Sequence, residues 1–174
     1  MKVCLRLLFI VLFLNLFYPN TAILASGQNN AVQNLASNGI FVDLVHDFQL
    51  YNSLLSEVNY YGLNAIPIHA RTIDEAVNYL ETGFESELAR SISTYYLQYQ
   101  EDIKRLVVIP TESIPIITEN DLDKINMTYI DEQKVVLQRV YFDCYFPGDA
   151  YLYTIFMIKV ENRWEINSLS LQEM

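Results

Sequence analysis

In an extended chain, side chains alternate between faces. The stretch Arg139-Val140-Tyr141-Phe142-Asp143-Cys144-Tyr145 would therefore set Arg139, Tyr141, Asp143 and Tyr145 on one side. A carboxyl beside tyrosine hydroxyls suits general acid–base chemistry when it is enclosed, because burial raises its pKa toward neutrality. On open surface, an Asp143 near Arg139 is an ordinary solvated pair. Asp143 is thus the one catalytic candidate. Arg139, Tyr141 and Tyr145, with Tyr151 and Tyr153 from the next extended stretch, form a candidate ligand-binding face, since tyrosine buries a ring while keeping a polar tip. Cys144 shares the opposite side with Val140, Phe142 and Phe146 and is expected as a small core residue rather than an activated thiolate.

Other chemistry is thinly represented. The sequence contains no phosphate-binding glycine loop, no G-x-S-x-G, no H-E-x-x-H and no C-x-x-C. The 2 histidines, His46 and His69, lie far apart, so no metal site is expected, and no cofactor. His46 and Asp47 are adjacent on an expected helix and should point in different directions. Glu119, Asp121 and Asp123 alternate like calcium ligands but lack the loop glycine and the closing glutamate; a helix N-terminus opened by Thr118 explains them.

The N-terminus reads as a signal peptide over residues 1–26. Lys2 and Arg6 precede the apolar run Leu7 to Leu14, and small residues follow. The apolar stretch is shorter than the roughly 20 residues of a spanning helix. Cleavage is expected near Ala25 or Ser26, and glycine stands where a lipidated cysteine would be, so no stable membrane anchor is expected afterwards. Cleavage would remove 2 of the 11 basic residues and none of the 21 acidic ones, leaving 9 against 21, a net charge of −12. Such a chain repels phosphate backbones, which excludes nucleic acid as a partner, and it disfavours anionic lipid. Cys4 would leave with the signal. A lone Cys144 in an extracellular protein fits a Gram-positive secreted product.

Positioning these residues requires a fold. Residues 27–39 are polar and read as a linker, and residues 40–174 as a single domain. Phe41, Leu44, Val45, Phe48, Tyr51, Leu55 and Val58 recur at helical spacing up to Tyr61-Gly62. Thr72 with Glu75, and Thr82 with Glu85, have the form of capping boxes, so two further helices are expected to begin there. The second would carry Leu88, Ala89, Ile92, Tyr95, Tyr96 and Tyr99. Strands are expected at "RLVVIP", Lys134 to Phe146, Tyr151 to Val160 and Trp164 to Leu171, the last three as a meander with a type II turn at Pro147-Gly148-Asp149. "SIPIIT" reads as an extended piece, and Glu119 to Ile125 as a short helical turn. In the last strand, Trp164 and Ile166 are out of step with Leu169 and Leu171, and a bulge near Asn167-Ser168 would restore them to one side. The class is α+β, with helices on one face of a curved antiparallel sheet.

Three helices, a meander and the closing "YLYTIFMIKVENRWEINSLSL" resemble the nuclear-transport-factor-2-like superfamily of cone-shaped, cystatin-like domains, over roughly residues 40 to 171 in architecture. Lys159, Val160, Asn162, Trp164, Glu165 and Ile166 carry the resemblance in sequence. It implies a core position for Trp164 against the first helix, and enzymes of that superfamily place an acid and a tyrosine inside the cone. Small Gram-positive envelope domains and secreted inhibitors of cell-wall endopeptidases are similar in helix pattern. The expected function is a secreted, non-catalytic domain that binds an unknown protein or small ligand at the cell envelope. The alternatives are an endopeptidase inhibitor and an acid–base enzyme, of the isomerase or dehydratase kind, using Asp143.

Overall fold

The computed structural model describes residues 30–144 and 146–174. The signal-peptide expectation lies outside them. The chain divides into two units, Met1–Gln33 and Asn34–Met174. Of the first unit only residues 30–33 are described, as the opening of a helix; all that follows concerns the second.

Helix α1 spans Asn30–Ser56. Residues 30–39, expected as linker, are thus helical. Ile40, Leu44, Phe48, Tyr51 and Leu54 recur every three or four positions and are buried. The expected continuation to Gly62 is corrected. Val58-Asn59-Tyr60-Tyr61 keeps the apolar spacing, but β-branched and aromatic residues before a glycine favour a hairpin. Strand β1 (Val58–Tyr61) pairs antiparallel with β2 (Asn64–Pro67), and Gly62 turns the chain at φ 62°.

Helix α2 (Ile73–Leu80) starts where expected, with Glu75 N–H donating to Thr72 Oγ1 at 3.1 Å. The second box is corrected. The Thr82 hydroxyl bonds backward to Tyr79 O at 2.8 Å, and helix α3 (Ser86–Tyr96) is capped instead by the Glu85 carboxylate, which accepts from Glu87 N and Leu88 N. The helix stops at Tyr96, so Tyr99 stands on a strand. β3 (Leu97–Gln100) pairs antiparallel with β4 (Arg105–Val108). A strap without regular structure, residues 109–118, then leads to a 3-10 helix at Glu119–Lys124.

The main sheet is antiparallel, in the order β5 (Asn126–Asp131), β6 (Lys134–Phe142), β7 (Ala150–Val160), β8 (Arg163–Glu173). Strand β5 was not anticipated. Phe156 pairs with Ser168 and Met157 with Ile166, so Asn167 has no partner and forms the expected bulge. Trp164, Ile166, Leu169 and Leu171 all join the core. Helix α1 packs on this face, where the rings of Phe48 and Tyr153 lie 6.4 Å apart. The β8 edge is also occupied: Trp164 N–H donates to Asp43 Oδ2 at 2.9 Å, and Ile166 pairs with the Gly83–Glu85 segment. Trp164 is buried, as expected of a core residue.

Candidate functional site

Along β6, Val135 and Leu137 point into the core, and the same alternation carries Arg139 and Tyr141 inward. A guanidinium there needs a partner, because an unpaired buried charge is costly. Asp121 of the 3-10 helix supplies it at 2.5 Å. Arg139 Nη1 also donates to Tyr141 Oη at 3.1 Å, and its guanidinium carbon sits 4.1 Å from the centre of the Tyr141 ring. Asp121 is held from its other side by the Thr118 N–H and hydroxyl. Partial burial pushes the Asp121 carboxyl up, but the Thr118 hydrogen bonds and the Arg139 charge outweigh this and hold it below the usual carboxylate range.

Tyr153 lies deeper, fully buried between Phe48 and Tyr141, and its hydroxyl has no hydrogen-bond partner among the described residues. Burial pushes its pKa well above that of a free phenol. Tyr51 and Tyr96 meet edge to face at 5.5 Å nearby. The Tyr96 hydroxyl donates to Glu112 O at 3.1 Å, which fastens the strap. The Tyr51 hydroxyl faces Tyr96 and the Ile114 backbone without reaching good hydrogen-bond geometry. Of the residues expected as a ligand face, Arg139, Tyr141 and Tyr153 are brought together, the two rings meeting at 6.1 Å. Outside, the strap residues Ile114, Pro115 and Ile116 with Cys144 and Leu171 border an open depression of about 260 Å³.

Several expectations on the β6–β7 connection are corrected. Strand β6 ends at Phe142 rather than Phe146. Asp143 takes a left-handed φ of 55° and is exposed, and its Oδ1 accepts from Gly148 N–H at 2.6 Å. Its carboxylate fastens a turn and does not enter an enclosed space. Cys144 is exposed too, with its N–H on Asp149 Oδ1 at 2.8 Å, so it is no core residue. Asp149 N–H bonds to Phe146 O at 3.2 Å and Gly148 has φ 91°, the geometry expected of a type II turn. Tyr151 is half-buried on the core side of β7. Tyr145 lies outside the described residues.

A second cluster was not foreseen. Asp47 is fully buried on α1, and Arg163 at the start of β8 reaches it, bonding to Asp47 Oδ1 and to Thr82 O. The same guanidinium is 2.9 Å from His46 Nδ1. His46 and Asp47 thus do meet, at 3.4 Å, with a residue 117 positions from His46 bridging them. Burial raises the Asp47 carboxyl to about 8, opposed by the Arg163 charge and hydrogen bond; Asp47 Oδ2 has no hydrogen-bond partner among the described residues. Only the lone arginine beside a turn, in "ENRWE", hinted at this role.

Among the described residues, no group of three or more His, Cys, Asp or Glu is placed to hold a metal, and no helix is long and apolar enough to cross a membrane. Large apolar side chains stand in solvent at two tips: Tyr60, Tyr61 and Leu63 on the β1–β2 hairpin, and Phe142 and Phe146 at the β6–β7 connection. No protein-family profile matches the chain, and no curated protein matches it in sequence.

Proposed function

We propose that the chain is a secreted, non-catalytic binding domain of the Gram-positive cell envelope, built on a cone of the nuclear-transport-factor-2-like kind. The reading is carried by the open depression beside the strap, where Ile114, Pro115, Ile116 and Leu171 present apolar surface to solvent. Such a hollow accepts an apolar group of a ligand without rearrangement of the sheet. Co-sedimentation with purified Gram-positive cell walls tests the reading. The chain with residues 1–26 removed should pellet with the walls, and Leu171→Asp should weaken this; equal recovery with and without walls overturns it.

A second reading, inhibition of a cell-wall endopeptidase, is favoured by Glu161 and Glu165 beside Glu81, next to the β7–β8 turn. Burial is the main cause that pushes the Glu165 carboxyl up, with smaller contributions from Glu85 and Glu161 set against the pull of Arg163. A basic groove would pair with these acids. Suppression of lytic activity should then weaken as salt is added, and no effect at low salt removes the reading. The acid–base alternative required Asp143 in an enclosed space, and its exposed position on the turn lends that no support.

A further inference from the structure

The hairpin β1–β2 carries its largest apolar side chains outward. Tyr60 is 77% exposed, Tyr61 63% and Leu63 102%. A two-residue hairpin loop ordinarily holds polar residues or glycine, so Leu63 beside Gly62 is an unusual tip. From Val58 to Ile68 there is no charged residue, in a chain with 21 acidic and 11 basic side chains. The tip is therefore both apolar and neutral.

The base of the same hairpin is fastened. Ile68 N–H donates to Glu57 O at 3.1 Å, His69 Nε2 meets Glu57 Oε2 at 2.9 Å, and the His69 ring stacks on Tyr79 at 4.8 Å. Pro67 is buried. A ribbon held at its root and bare at its tip is pre-organised to enter a recess, because little freedom remains to be lost on binding.

Two environments accept a neutral apolar tip: a lipid surface and an apolar cleft in a protein. Reversible lipid docking by so few side chains needs help from basic residues, and the excess of acidic side chains opposes it at an anionic leaflet. Tyrosine, by contrast, is enriched among the residues that anchor protein interfaces.

We infer that the β1–β2 hairpin is an insertion element, and that Tyr60, Tyr61 and Leu63 occupy an uncharged, apolar cleft of an envelope protein. The inference rests on the envelope-binding reading and adds to the depression beside the strap a second, separate point of contact with its own partner class.

The test compares the processed chain with the triple variant Tyr60→Ser, Tyr61→Ser, Leu63→Ser on three probes: native Gram-positive walls, the same walls stripped of protein by detergent, and phosphatidylglycerol vesicles. Native walls should retain the processed chain, stripped walls and vesicles should not, and the variant should bind native walls at least about tenfold more weakly. Val42→Ser, an exposed change on α1, should bind like the unsubstituted chain, and Leu63→Asp alone should reproduce most of the loss should the triple variant fold poorly. Equal binding by a folded hairpin variant overturns the insertion element while sparing the envelope reading. Retention on stripped walls, or hairpin-dependent binding to vesicles, overturns the protein cleft. No retention on native walls defeats both.

Discussion

Gly83 lies directly against Asp47: a Cβ on Gly83 would stand 2.2 Å from Asp47 Oδ1 and 2.6 Å from its carboxyl carbon. The contact comes from Gly83 O accepting the Ile166 N–H, which pulls the α2–α3 turn onto β8, while Arg163 draws the Asp47 carboxylate to the same place. The absence of a side chain lets three elements meet.

Gly83→Ala should therefore destabilise the chain by roughly 2–4 kcal/mol, since the new methyl must displace a buried carboxyl held by Arg163. Urea unfolding of both proteins measures this. A change below about 0.5 kcal/mol would mean that the turn moves freely away from α1.

The raised Asp47 pKa sets a pH dependence. Between 3.8, its ordinary value, and about 8, the folded chain holds a proton that the unfolded chain has lost, so stability from this group is greatest at low pH and is lost as pH rises through about 8. The loss is on the order of several kcal/mol across that range, because each pKa unit is worth about 1.4 kcal/mol and the rise is about 4 units with the pull of Arg163 already included. Midpoints of urea unfolding from pH 5 to 8.5 should fall more steeply for the natural chain than for Asp47→Asn. Parallel slopes would show that the carboxyl stays ionised.

Tyr153→Phe should leave stability unchanged or raise it by about 1 kcal/mol, because it removes a buried hydroxyl without a partner. Tyr96→Phe should cost about 1 kcal/mol by releasing Glu112 O on the strap. Thermal melts distinguish the two, and a clear loss in Tyr153→Phe would reveal a bound water on that hydroxyl.

Trp164→Ala should cost roughly 3–5 kcal/mol, as expected for a large ring removed from a packed core. Loss of tryptophan fluorescence requires circular dichroism as the probe. A cost under about 1 kcal/mol would place the indole outside the cooperative core.

Much of the sheet was readable because its determinants are local. Alternation marked β6, β7 and β8, and the phase slip between Ile166 and Leu169 located the Asn167 bulge. Thr72 announced α2 by a contact three residues long. The errors came where two local patterns overlapped. Val58 fits the α1 stripe as well as a strand, and Tyr99 fits the α3 stripe as well as β3. Asp143 and Cys144 sit beyond the end of β6, and the core face expected for Val140, Phe142 and Cys144 is the outer one, since the buried Val135 and Leu137 put Arg139 and Tyr141 inside. Arg139, Tyr141 and Tyr153 were placed on one face, yet the pairing of Arg139 with Asp121 and the packing of Tyr153 on Phe48 of α1 are not described by periodicity. The Asp47–Arg163 pair joins residues 116 apart and has no local signature.

The unpaired Asn167 is a spare residue in β8. Deleting it would leave Ile166 opposite Met157, Ser168 opposite Phe156 and Leu169 opposite Ile155, so Leu169 and Leu171 would still face the core and only the local kink would go. Removing Ser170 would instead send Leu171 out to water, so the strand tolerates a shorter count at this one place and not beyond it.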